Sequence, residues 1–446
     1  MLGRCLMSDH AIIFVECDYN RYSLAVLTGI LEEDERFENL DLHFLKFRKR
    51  MRSAHSNALH VAEQVAELVR RYHKLVLAFS FHTANVMAIG ELIRDIRHKL
   101  AAHHIEHVLF VAGGPHPSGD PEGTLRLGID VIVIGEGEAT FPCLLDAYFH
   151  DKDYRLVEGV GFLRDDGHFQ ANVRPSPVDL SDFPPFALWH KRFCPMEISR
   201  GCPWGCYYCQ TPFLMGACMR HRSLESIITY AERAKRLRCN LLRFITPNAF
   251  AYGAADGRSV NLEALEAMLK AVSGIYGKEQ VYLGSFPSEV RPEHISAETI
   301  ALIKAYCAND NLVIGAQSGS DRLLEAIHRG HGVAEILRAT ELTLNAGLIP
   351  NVDLIFGLPG EIQQDREATL QLITRLIAMG ARIHSHVFMP LAGTPFFKSR
   401  PGSVDAHTRY IIEQLRGKQL EHGNWKQHER IARETADFLT LQKAGY

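Results

Sequence analysis

The sequence lacks several features that would assign it to a large class of proteins. Its 446 residues contain no apolar run close to the roughly 18 residues that a membrane-spanning helix needs. A short apolar run near the start is not followed by a small-residue cleavage pattern, so we expect no secretory signal and a cytoplasmic location. Internal repeats and low-complexity tracts are also absent from the sequence. We therefore expect a globular protein that does not associate with membranes.

Strong charge of either sign is missing as well. The chain has 49 Lys plus Arg against 52 Asp plus Glu, which gives a formal net charge of -3. No dense basic stripe of the kind that neutralises phosphates is present, so a nucleic-acid partner is not supported. Hydrophobic residues make up 46% of the chain, close to the average for globular proteins, and the length predicts two domains.

The first third alternates apolar runs with helical patterns. The runs are continuously apolar, which is typical of buried parallel strands, and they lie at 11–16, 74–80, 107–114 and 130–138. Repeated strand, helix and strand units predict an α/β fold with a doubly wound, Rossmann-like sheet over residues 1–150. Ligands of such sheets bind at the carboxyl ends of the strands.

A proline-rich stretch at 151–190 reads as a linker, and a second alternation follows it. Six apolar runs lie at 195–199, 240–246, 280–285, 311–316, 351–356 and 383–389, with helical patterns between them. They predict a partial (βα)6 version of the eight-unit TIM barrel over residues 191–400. Ser223 is the expected N-cap of the clearest helix. The segment 401–446 is rich in charge and helix formers and predicts a helical tail.

Three cysteines, Cys202, Cys206 and Cys209, stand in the spacing C-x3-C-x2-C. An iron–sulfur cubane that carries electrons usually has a thiolate on each of its four irons, so three thiolates leave one iron open. A catalytic metal keeps a position free in the same way. Gly201 and Gly205 suit the tight turn that such a loop needs.

Zinc and a disulfide are the alternatives at this loop. Cys206 and Cys209 form a C-x2-C pair, but no second C-x2-C or H-x3-5-H pair follows, although Cys194, Cys218 and His221 could be recruited. A disulfide does not suit a reducing cytosol.

The loop resembles the signature of the radical S-adenosylmethionine enzymes, C-x3-C-x-aromatic-C, with Tyr208 in the aromatic position. In that family three cysteines hold a 4Fe–4S cluster, and the open iron chelates S-adenosylmethionine. The reduced cluster then cleaves S-adenosylmethionine to a 5′-deoxyadenosyl radical, which abstracts hydrogen from the substrate. The resemblance implies that Cys202, Cys206 and Cys209 are the catalytic cluster ligands.

Further motifs between 195 and 397 resemble strand-end motifs of the methylthiotransferase-like branch of this family. They include "ITPNAFAYG", "SFPSEVRPE", "IGAQSGSDRLLEAIHRGH", "NVDLIFGLPGE" and "MPLAGTPFF". Strand ends carry the active site in such barrels, so the expected contacts to S-adenosylmethionine are Tyr208, Asn248, Ser288, Glu289, Gln317 and Ser318. Each could instead be a helix cap or a turn residue, as Ser320 could be for the helix that follows it.

The N-terminal third resembles the cobalamin-binding half of cobalamin-dependent radical S-adenosylmethionine enzymes, through "LAFSFHTANV" and "VAGGPHPSGDPEGTLRLGIDVIVIGEGEATFPCLLDAY". Glycines at the strand ends would let a flat macrocycle approach the backbone. The expected cobalamin contacts are Asn20, Ser80, His82, Thr83, Gly113, Gly114, Gly135, Glu136 and Gly137. The alternatives are glycines used only for turns or a nucleotide-binding sheet, although the first strand lacks the G-x-G-x-x-G of dinucleotide sites.

Many cobalamin domains carry D-x-H-x-x-G after the first strand, and its histidine ligates cobalt. In this chain Asn20 stands in the histidine position after Asp18. The resemblance therefore implies that no protein side chain ligates cobalt at the lower axial site. The alternative is that His82 or His116 takes the place of the missing histidine.

The resemblance implies a methyltransferase that uses a 4Fe–4S cluster, S-adenosylmethionine and cobalamin to methylate an unactivated carbon of a small molecule or peptide. An electron donor such as flavodoxin or ferredoxin is the expected partner. The alternatives are a methylthiotransferase, a cobalamin-dependent rearrangement or cyclisation, and a non-catalytic cobalamin or redox sensor. A methylthiotransferase would carry a second cysteine triad, whereas Cys5, Cys17 and Cys143 are scattered.

Overall fold

The computed structural model describes residues 9–47 and 54–443, and Cys5 lies outside these residues. The chain divides into two compact units. The first unit comprises residues 1–178, 183–194 and 438–446, and the second comprises 179–182 and 195–437.

The first unit contains a seven-stranded sheet in the order β2-β1-β3-β4-β5-β6-β7. Strands β1 to β5 are parallel, and β6 and β7 join antiparallel at one edge. The strands are β1 His10–Glu16, β2 Asp41–Lys46, β3 Lys74–Ser80, β4 Val108–Gly113, β5 Val131–Val133, β6 Val160–Leu163 and β7 Phe169–Ala171. The order 2-1-3-4-5 reverses between β1 and β3, and the carboxyl ends at such a reversal flank a ligand crevice.

Three of these strands differ from the sequence prediction. Strand β2 was not predicted, because as an edge strand it is only partly buried and polar residues interrupt its apolar pattern. Strands β6 and β7 fall in 151–190, which the pattern predicted as a linker. They are four and three residues long, too short to produce a periodic signal, yet they extend the sheet. The proline-rich stretch that follows them has no strand until β8.

Six helices connect the strands of the first unit. They are α1 Arg21–Glu33, α2 Ala54–Val69, α3 Val86–Ala102, α4 Pro115–Gly119, α5 Pro121–Leu125 and α6 Gly137–Phe149. Apolar side chains of the sheet pack with α1 and α6 in one buried cluster that includes Phe14, Leu24, Val76 and Phe141. Burial on both faces explains why the parallel strands read as continuous apolar runs.

The second unit contains six parallel strands in two groups, β12-β11-β8 and β13-β14-β15. Backbone hydrogen bonds through 284–290 connect the groups, because Val313 donates to the Gly284 carbonyl at 2.8 Å and Val290 bridges to Ile314. The strands are β8 Met196–Glu197, β9 Ser199–Arg200, β10 Arg220–His221, β11 Leu242–Ile245, β12 Val281–Tyr282, β13 Asn311–Gln317, β14 Ile349–Phe356 and β15 Arg382–Val387. The six predicted βα units are confirmed, and β9 and β10 form an additional antiparallel pair.

Helices follow the strands of this partial barrel. They are α7 Thr211–Leu214, α8 Leu224–Arg236, α9 Leu262–Tyr276, α10 Ala297–Tyr306, α11 Asp321–Ala326, α12 Val333–Asn345 and α13 Gln363–Met379. The Ser223 hydroxyl accepts a hydrogen bond from the Ser226 amide at 3.2 Å, so the predicted cap of α8 is present. Ser320 caps α11 in the same way through the Leu323 amide.

The predicted helical tail consists of α14 Ala406–Gly417 and α15 Trp425–Lys443. Between these helices, the chain runs beside the edge strand β15. The Ile383 amide donates to the Leu420 carbonyl at 2.9 Å, and the His422 amide donates to Ile383 at 3.0 Å. Among the described residues, no helix is long and apolar enough to cross a membrane.

Candidate active site

The three cysteines lie in a tight loop that follows β9. Gly201 has a φ of +85° and its Cβ position would lie 2.2 Å from the Cys218 carbonyl oxygen, so only glycine fits there. The Cys202 amide donates to the Gly216 carbonyl at 3.0 Å, and the Cys209 amide donates to Cys206 at 3.0 Å. All three thiols are free. The backbone is therefore fixed while the sulfur atoms remain unbonded to one another.

The spacing of the sulfur atoms helps to distinguish a cluster from a single ion. Burial raises the pKa of Cys202 and raises the pKa of Cys209 to about 11, and the neighbouring thiols add to this effect. Among residues 9–47 and 54–443, however, the three sulfurs do not form a group within 4.8 Å of one another. Two thiolates on one zinc ion are at most about 4.6 Å apart. The spacing favours a multi-iron cluster over zinc.

Trp204 anchors the loop to the rest of the second unit. The Arg291 guanidinium lies 3.7 Å from the centre of the Trp204 ring, a cation–π contact. Gly330 packs against the same ring so closely that its Cβ position would lie 2.4 Å from a ring carbon. Arg291 also donates to the Arg329 carbonyl. The segment that follows α11 therefore packs against Trp204 and supports the cysteine loop.

The same segment contacts Cys206 directly. The Cys206 thiol donates to the His328 carbonyl at 3.4 Å, and the Tyr207 amide donates to Ile327 at 3.2 Å. The His328 ring packs on Tyr207 with 4.1 Å between ring centres. These contacts connect the end of α11 to the middle of the cysteine loop.

A buried arginine lies beside the cysteine loop. Arg329 donates to the Gly315 carbonyl at 2.6 Å, and its guanidinium lies 3.9 Å from the Cys206 sulfur and 3.7 Å from Glu289. Burial lowers the Arg329 pKa, but nearby Tyr208, Glu289 and Cys206 outweigh that effect and raise it. The permanent positive charge would offset negative charge on thiolates and sulfide in a bound cluster.

A second charged group supports Arg291. Glu293 accepts from Arg291 and lies 3.2 Å from the His331 ring nitrogen. Burial acts to raise the Glu293 pKa, but His331 and Arg291 lower it to about 2. The sequence analysis did not identify Trp204, Arg291 or Glu293. The available signal was the presence of two charged residues, Arg291 and Glu293, within the motif "SFPSEVRPE".

Of four residues predicted to contact S-adenosylmethionine, three have hydrogen-bond partners within the protein, and the fourth, Gln317, lies at a strand irregularity. The Asn248 amide contacts His294 at 2.7 Å and accepts from the Arg291 amide, and Ser288 closes a turn with Gly284 and Ser285. Ser318 contacts Thr369 and the Ser320 amide. Gln317 has a φ of +73° at a bulge in β13. These contacts give Asn248, Ser288 and Ser318 scaffold roles, and their contact with S-adenosylmethionine stays a prediction.

Glu289 and Tyr208 differ from those four. About a third of the Glu289 side chain, 34%, is accessible, and its carboxylate lies 3.7 Å from the Arg329 guanidinium. Burial, and after it the nearby Asp353, raises the Glu289 pKa. Tyr208 packs in an apolar cluster with Leu323 and Phe388 at the ends of α11 and β15. Glu289 is thus the predicted residue best placed to bind a cationic ligand group.

Asp353 on β14 and His384 and His386 on β15 were not predicted. The Asp353 carboxylate lies 3.0 Å from Nδ1 of His384. This hydrogen bond raises the His384 pKa, whereas burial lowers the His386 pKa to about 4. The sequence pattern did not indicate a site here, because the two histidines stand in an alternating strand and Asp353 lies 31 residues before His384.

In the first unit, the residues predicted around cobalamin gather at the carboxyl ends of β1, β3, β4 and β5. Asn20 is 2% exposed, and its side chain makes only backbone hydrogen bonds: it accepts from the Cys17 amide at 2.8 Å and donates to Val15 and Ser80. The contact of Asn20 with cobalamin therefore stays a prediction, and the structure shows in addition a structural role for this side chain. Asn20 joins the ends of β1 and β3 and offers no free amide proton to a ligand.

Other polar groups at this edge also interact with one another. The hydroxyls of Ser23 and Ser80 are 2.9 Å apart, and Thr83 contacts Nδ1 of His116 at 3.1 Å. Nε2 of the fully buried His116 has no hydrogen-bond partner, and burial lowers the His116 pKa to about 3. His82 is exposed. An orphaned buried nitrogen and an exposed imidazole fit a ligand with polar groups at this edge.

The glycines at the edge have different surroundings. The Cβ position of Gly114 would lie 2.8 Å from the Ser80 hydroxyl, so this glycine serves close packing and a positive φ. Gly113 and Gly137 have room for a Cβ at ordinary contact distances. Gly135 faces open space, with nothing within 4 Å, and its amide donates to Ser118. The Glu136 carboxylate accepts from the Val178 amide at 2.8 Å. Gly135 therefore marks the open part of the edge.

Comparisons with known families agree with both halves of the chain. The model of the radical SAM superfamily matches residues 196–373, and the model of the B12-binding domain matches residues 15–145.

Curated relatives are distant. An uncharacterized protein of Methanopyrus kandleri is 26% identical over 68% of this chain and 65% of its own length, and an uncharacterized methyltransferase of Pyrococcus horikoshii is 26% identical over 62% and 60%. A probable threonylcarbamoyladenosine tRNA methylthiotransferase of Archaeoglobus fulgidus is 30% identical over 40% and 41%. The chain thus matches less than two thirds of each relative.

Two solved structures share the fold. The radical S-adenosylmethionine methyltransferase TsrM from Kitasatospora setae, with cobalamin and an iron–sulfur cluster bound, aligns with a TM-score of 0.65 at 17% identity over 92% of this chain and 76% of that chain. The cobalamin-dependent S-adenosylmethionine radical enzyme OxsB aligns with a TM-score of 0.62 at 14% identity over 82% and 52%.

A radical SAM domain uses a 4Fe–4S cluster with S-adenosylmethionine, and a B12-binding domain uses cobalamin, so these are the cofactors of the chain. The C-x3-C-x2-C loop follows the first strand of the six-stranded barrel, and the B12-binding match covers the parallel sheet of the first unit. The chain therefore combines a B12-binding domain with a radical SAM domain in this order, and it shares the fold of TsrM and OxsB.

Proposed function

We propose that the protein is a methyltransferase that transfers a methyl group from S-adenosylmethionine, by way of cobalamin, to an unactivated carbon of a small molecule or peptide. The observation that carries the proposal is the presence in one chain of a three-thiolate loop and a B12-binding sheet whose edge is open at Gly135. The names of TsrM and of the Pyrococcus horikoshii relative support methyl transfer.

Residues of the second unit would hold the cluster and S-adenosylmethionine. Cys202, Cys206 and Cys209 would ligate three irons, and Arg329 would offset the negative charge of the bound cluster from 3.9 Å away from Cys206. Glu289 has an accessible carboxylate that suits a ligand ammonium or hydroxyl group. When bound, the reduced cluster supplies the electron that cleaves S-adenosylmethionine, and cobalamin carries the methyl group.

Residues of the first unit would hold cobalamin against the carboxyl edge of the sheet. His82 is exposed there, and the buried Nε2 of His116 lacks a partner. Asn20 would support this edge from inside rather than ligate cobalt, because its side-chain oxygen accepts from the Cys17 amide and its amide protons are engaged by backbone carbonyls.

The test uses S-adenosylmethionine labelled in its methyl group, with anaerobically reconstituted protein, cobalamin and an extract of the host. We expect label in the cobalamin fraction first and in an organic product afterwards, with 5′-deoxyadenosine formed in step with product. The Cys206→Ala variant should yield no 5′-deoxyadenosine. Label that reaches cobalamin but never a product would contradict methyl transfer and would indicate a rearrangement or cyclisation.

A second candidate function is methylthiolation of tRNA, favoured by the 30% identity to the Archaeoglobus fulgidus protein over 183 residues. A methylthiotransferase inserts sulfur together with the methyl group. Mass spectrometry of tRNA nucleosides after incubation with the enzyme distinguishes the two candidates, because a methylthio product differs in mass from a methyl product. The second candidate predicts the methylthio mass in tRNA.

A further inference from the structure

A cluster of metal-ligating side chains lies on β14 and β15 of the second unit, outside the cysteine loop. Asp353 and His384 are direct partners across the two parallel strands, and His386 follows two residues later. Side chains two residues apart in a strand point to the same face, so all three leave one face of the sheet. The opposite face is buried, as Val352 and Ile383 are at most 1% exposed. The three side chains therefore project from a rigid platform.

The ligand atoms of these three side chains converge. Nδ1 of His384 lies 3.0 Å from one Asp353 oxygen, and Nε2 of His386 lies 3.2 Å from Nδ1 of His384 and 4.0 Å from the other Asp353 oxygen. They form the one such group found among residues 9–47 and 54–443 with all ligand atoms within 4.8 Å. Atoms bound to one ion at about 2.0–2.2 Å are at most about 4.4 Å apart, so the printed distances suit a single ion.

Hydrogen bonding alone satisfies this arrangement only if one proton on Nδ1 of His384 is shared between Asp353 and Nε2 of His386. A ring nitrogen carries at most one proton. If Nδ1 of His384 donates to Asp353, it has no lone pair left to accept from His386. If instead Nδ1 accepts from His386, its lone pair and the Asp353 carboxylate face each other without a proton between them. A cation at the centre would bind all three lone pairs at once.

We propose that Asp353, His384 and His386 form a binding site for a divalent transition metal of the Zn²⁺ or Fe²⁺ type. Two imidazoles and one carboxylate are donors that select such metals over Mg²⁺ or Ca²⁺, which prefer oxygen ligands. Three protein ligands leave coordination positions for water or an oxygen donor of a substrate.

The surroundings support a site that is both fixed and accessible. The side chains of His384 and His386 are 37% and 28% exposed, so the open positions face solvent space. The His386 ring stacks on His428 of α15 with planes 5° apart, which holds the imidazole in place. Glu289 lies close enough for its carboxylate to interact electrostatically with Asp353. The metal would therefore lie near the carboxylate that also faces Arg329.

The first experiment measures zinc binding to the full-length, cluster-reconstituted protein by equilibrium dialysis against Zn²⁺. We expect one zinc per chain in addition to four irons. The variants Asp353→Asn, His384→Gln and His386→Gln should bind zinc about 100-fold more weakly or worse, with unchanged iron content. His422→Gln is the matched control, because His422 is an exposed histidine beside the same strand. Equal zinc binding by all four variants would overturn the proposal.

A second measurement is independent of the variants. X-ray absorption at the zinc edge of the loaded native protein should show only nitrogen and oxygen neighbours, with outer-shell scattering from two imidazoles. Sulfur neighbours would place the zinc in the cysteine loop and contradict the proposal. A protein that takes up no zinc under these conditions would show that the three side chains form a metal-free hydrogen-bonded group.

Discussion

The strand ends of the two units differ in how their polar groups are used. In the first unit, Asn20 bonds to backbone, Ser80 contacts Ser23 and Thr83 contacts His116, so these polar groups have partners within the protein. In the second unit, Trp204 and Arg291 fix the cysteine loop, whereas the three thiols form no disulfide. A buried polar group with partners stabilises the fold, and an atom left without them is available to a ligand. The partners that a polar group has in the structure therefore distinguish scaffold residues from site residues better than the polarity of the sequence does.

The largest expected effect tests the second unit. Cys206→Ala should reduce iron from four per chain to near zero and abolish reductive cleavage of S-adenosylmethionine, because a cubane with two protein thiolates is poorly held. Iron analysis and chromatography of 5′-deoxyadenosine measure both. Cys239→Ala is the control, since Cys239 lies outside the loop, and it should retain both. Full iron loading of Cys206→Ala would show that this loop does not hold the cluster.

The next effect tests the scaffold role in the first unit. Asn20→Ala leaves two carbonyls and one amide without their buried partner, so the free energy of unfolding should fall by about 2–4 kcal/mol. Ser23→Ala removes the hydroxyl that contacts Ser80 and the Asn20 carbonyl, and it should cost less, about 1 kcal/mol. Urea unfolding followed by circular dichroism measures both. If Asn20→Ala left the stability unchanged but abolished cobalamin binding, Asn20 would be a cofactor-binding residue rather than a scaffold residue.

A matched pair of glycines tests the support behind the cysteine loop. Gly330 and Gly347 have φ values of +77° and +75°, but a Cβ would strike Trp204 only at Gly330. Gly347→Ala should cost about 1 kcal/mol of stability from backbone strain alone. Gly330→Ala should cost about 1–3 kcal/mol more and should release iron faster to a chelator, because the loop must shift. Equal iron release by the two variants would show that Trp204 does not hold the loop.

The last prediction concerns the pH dependence that a scaffold carboxylate gives the second unit. Glu361 accepts from the Gly357 amide at 3.0 Å, and burial raises the Glu361 pKa to about 7. The folded state therefore holds a proton that the unfolded state loses near pH 4.3. Stability should decrease as the pH rises from about 4.3 through 7, because the unfolded state releases the proton in this range and the folded state keeps it. Unfolding of the native protein and of Glu361→Gln at pH 5 and pH 8 measures this, and identical slopes would contradict it.

The sequence predicted the regular parts of the fold for a physical reason. The parallel strands β1, β3, β4 and β5 read as apolar runs because both of their faces are covered, whereas β14 and β15 alternate buried residues with half-buried or exposed ones. The edge strand β2 was missed because it is only partly buried, and β6 and β7 were missed because four and three residues are too short for a periodic signal. The cap at Ser223 followed from local chemistry alone.

The sequence by itself determined the chemistry of the cluster site, because C-x3-C-x2-C with Tyr208 fits one family of loops within eight residues of chain. Only the tertiary structure decided which other polar residues serve the fold. Asn20 and Asn248 are occupied by backbone and side-chain partners that lie up to 60 and 46 residues away. The same long-range contacts brought Arg329 to Cys206 and Asp353 to His384 and His386. Local spacing specifies a loop, whereas the saturation of a buried polar group depends on neighbours that only folding supplies.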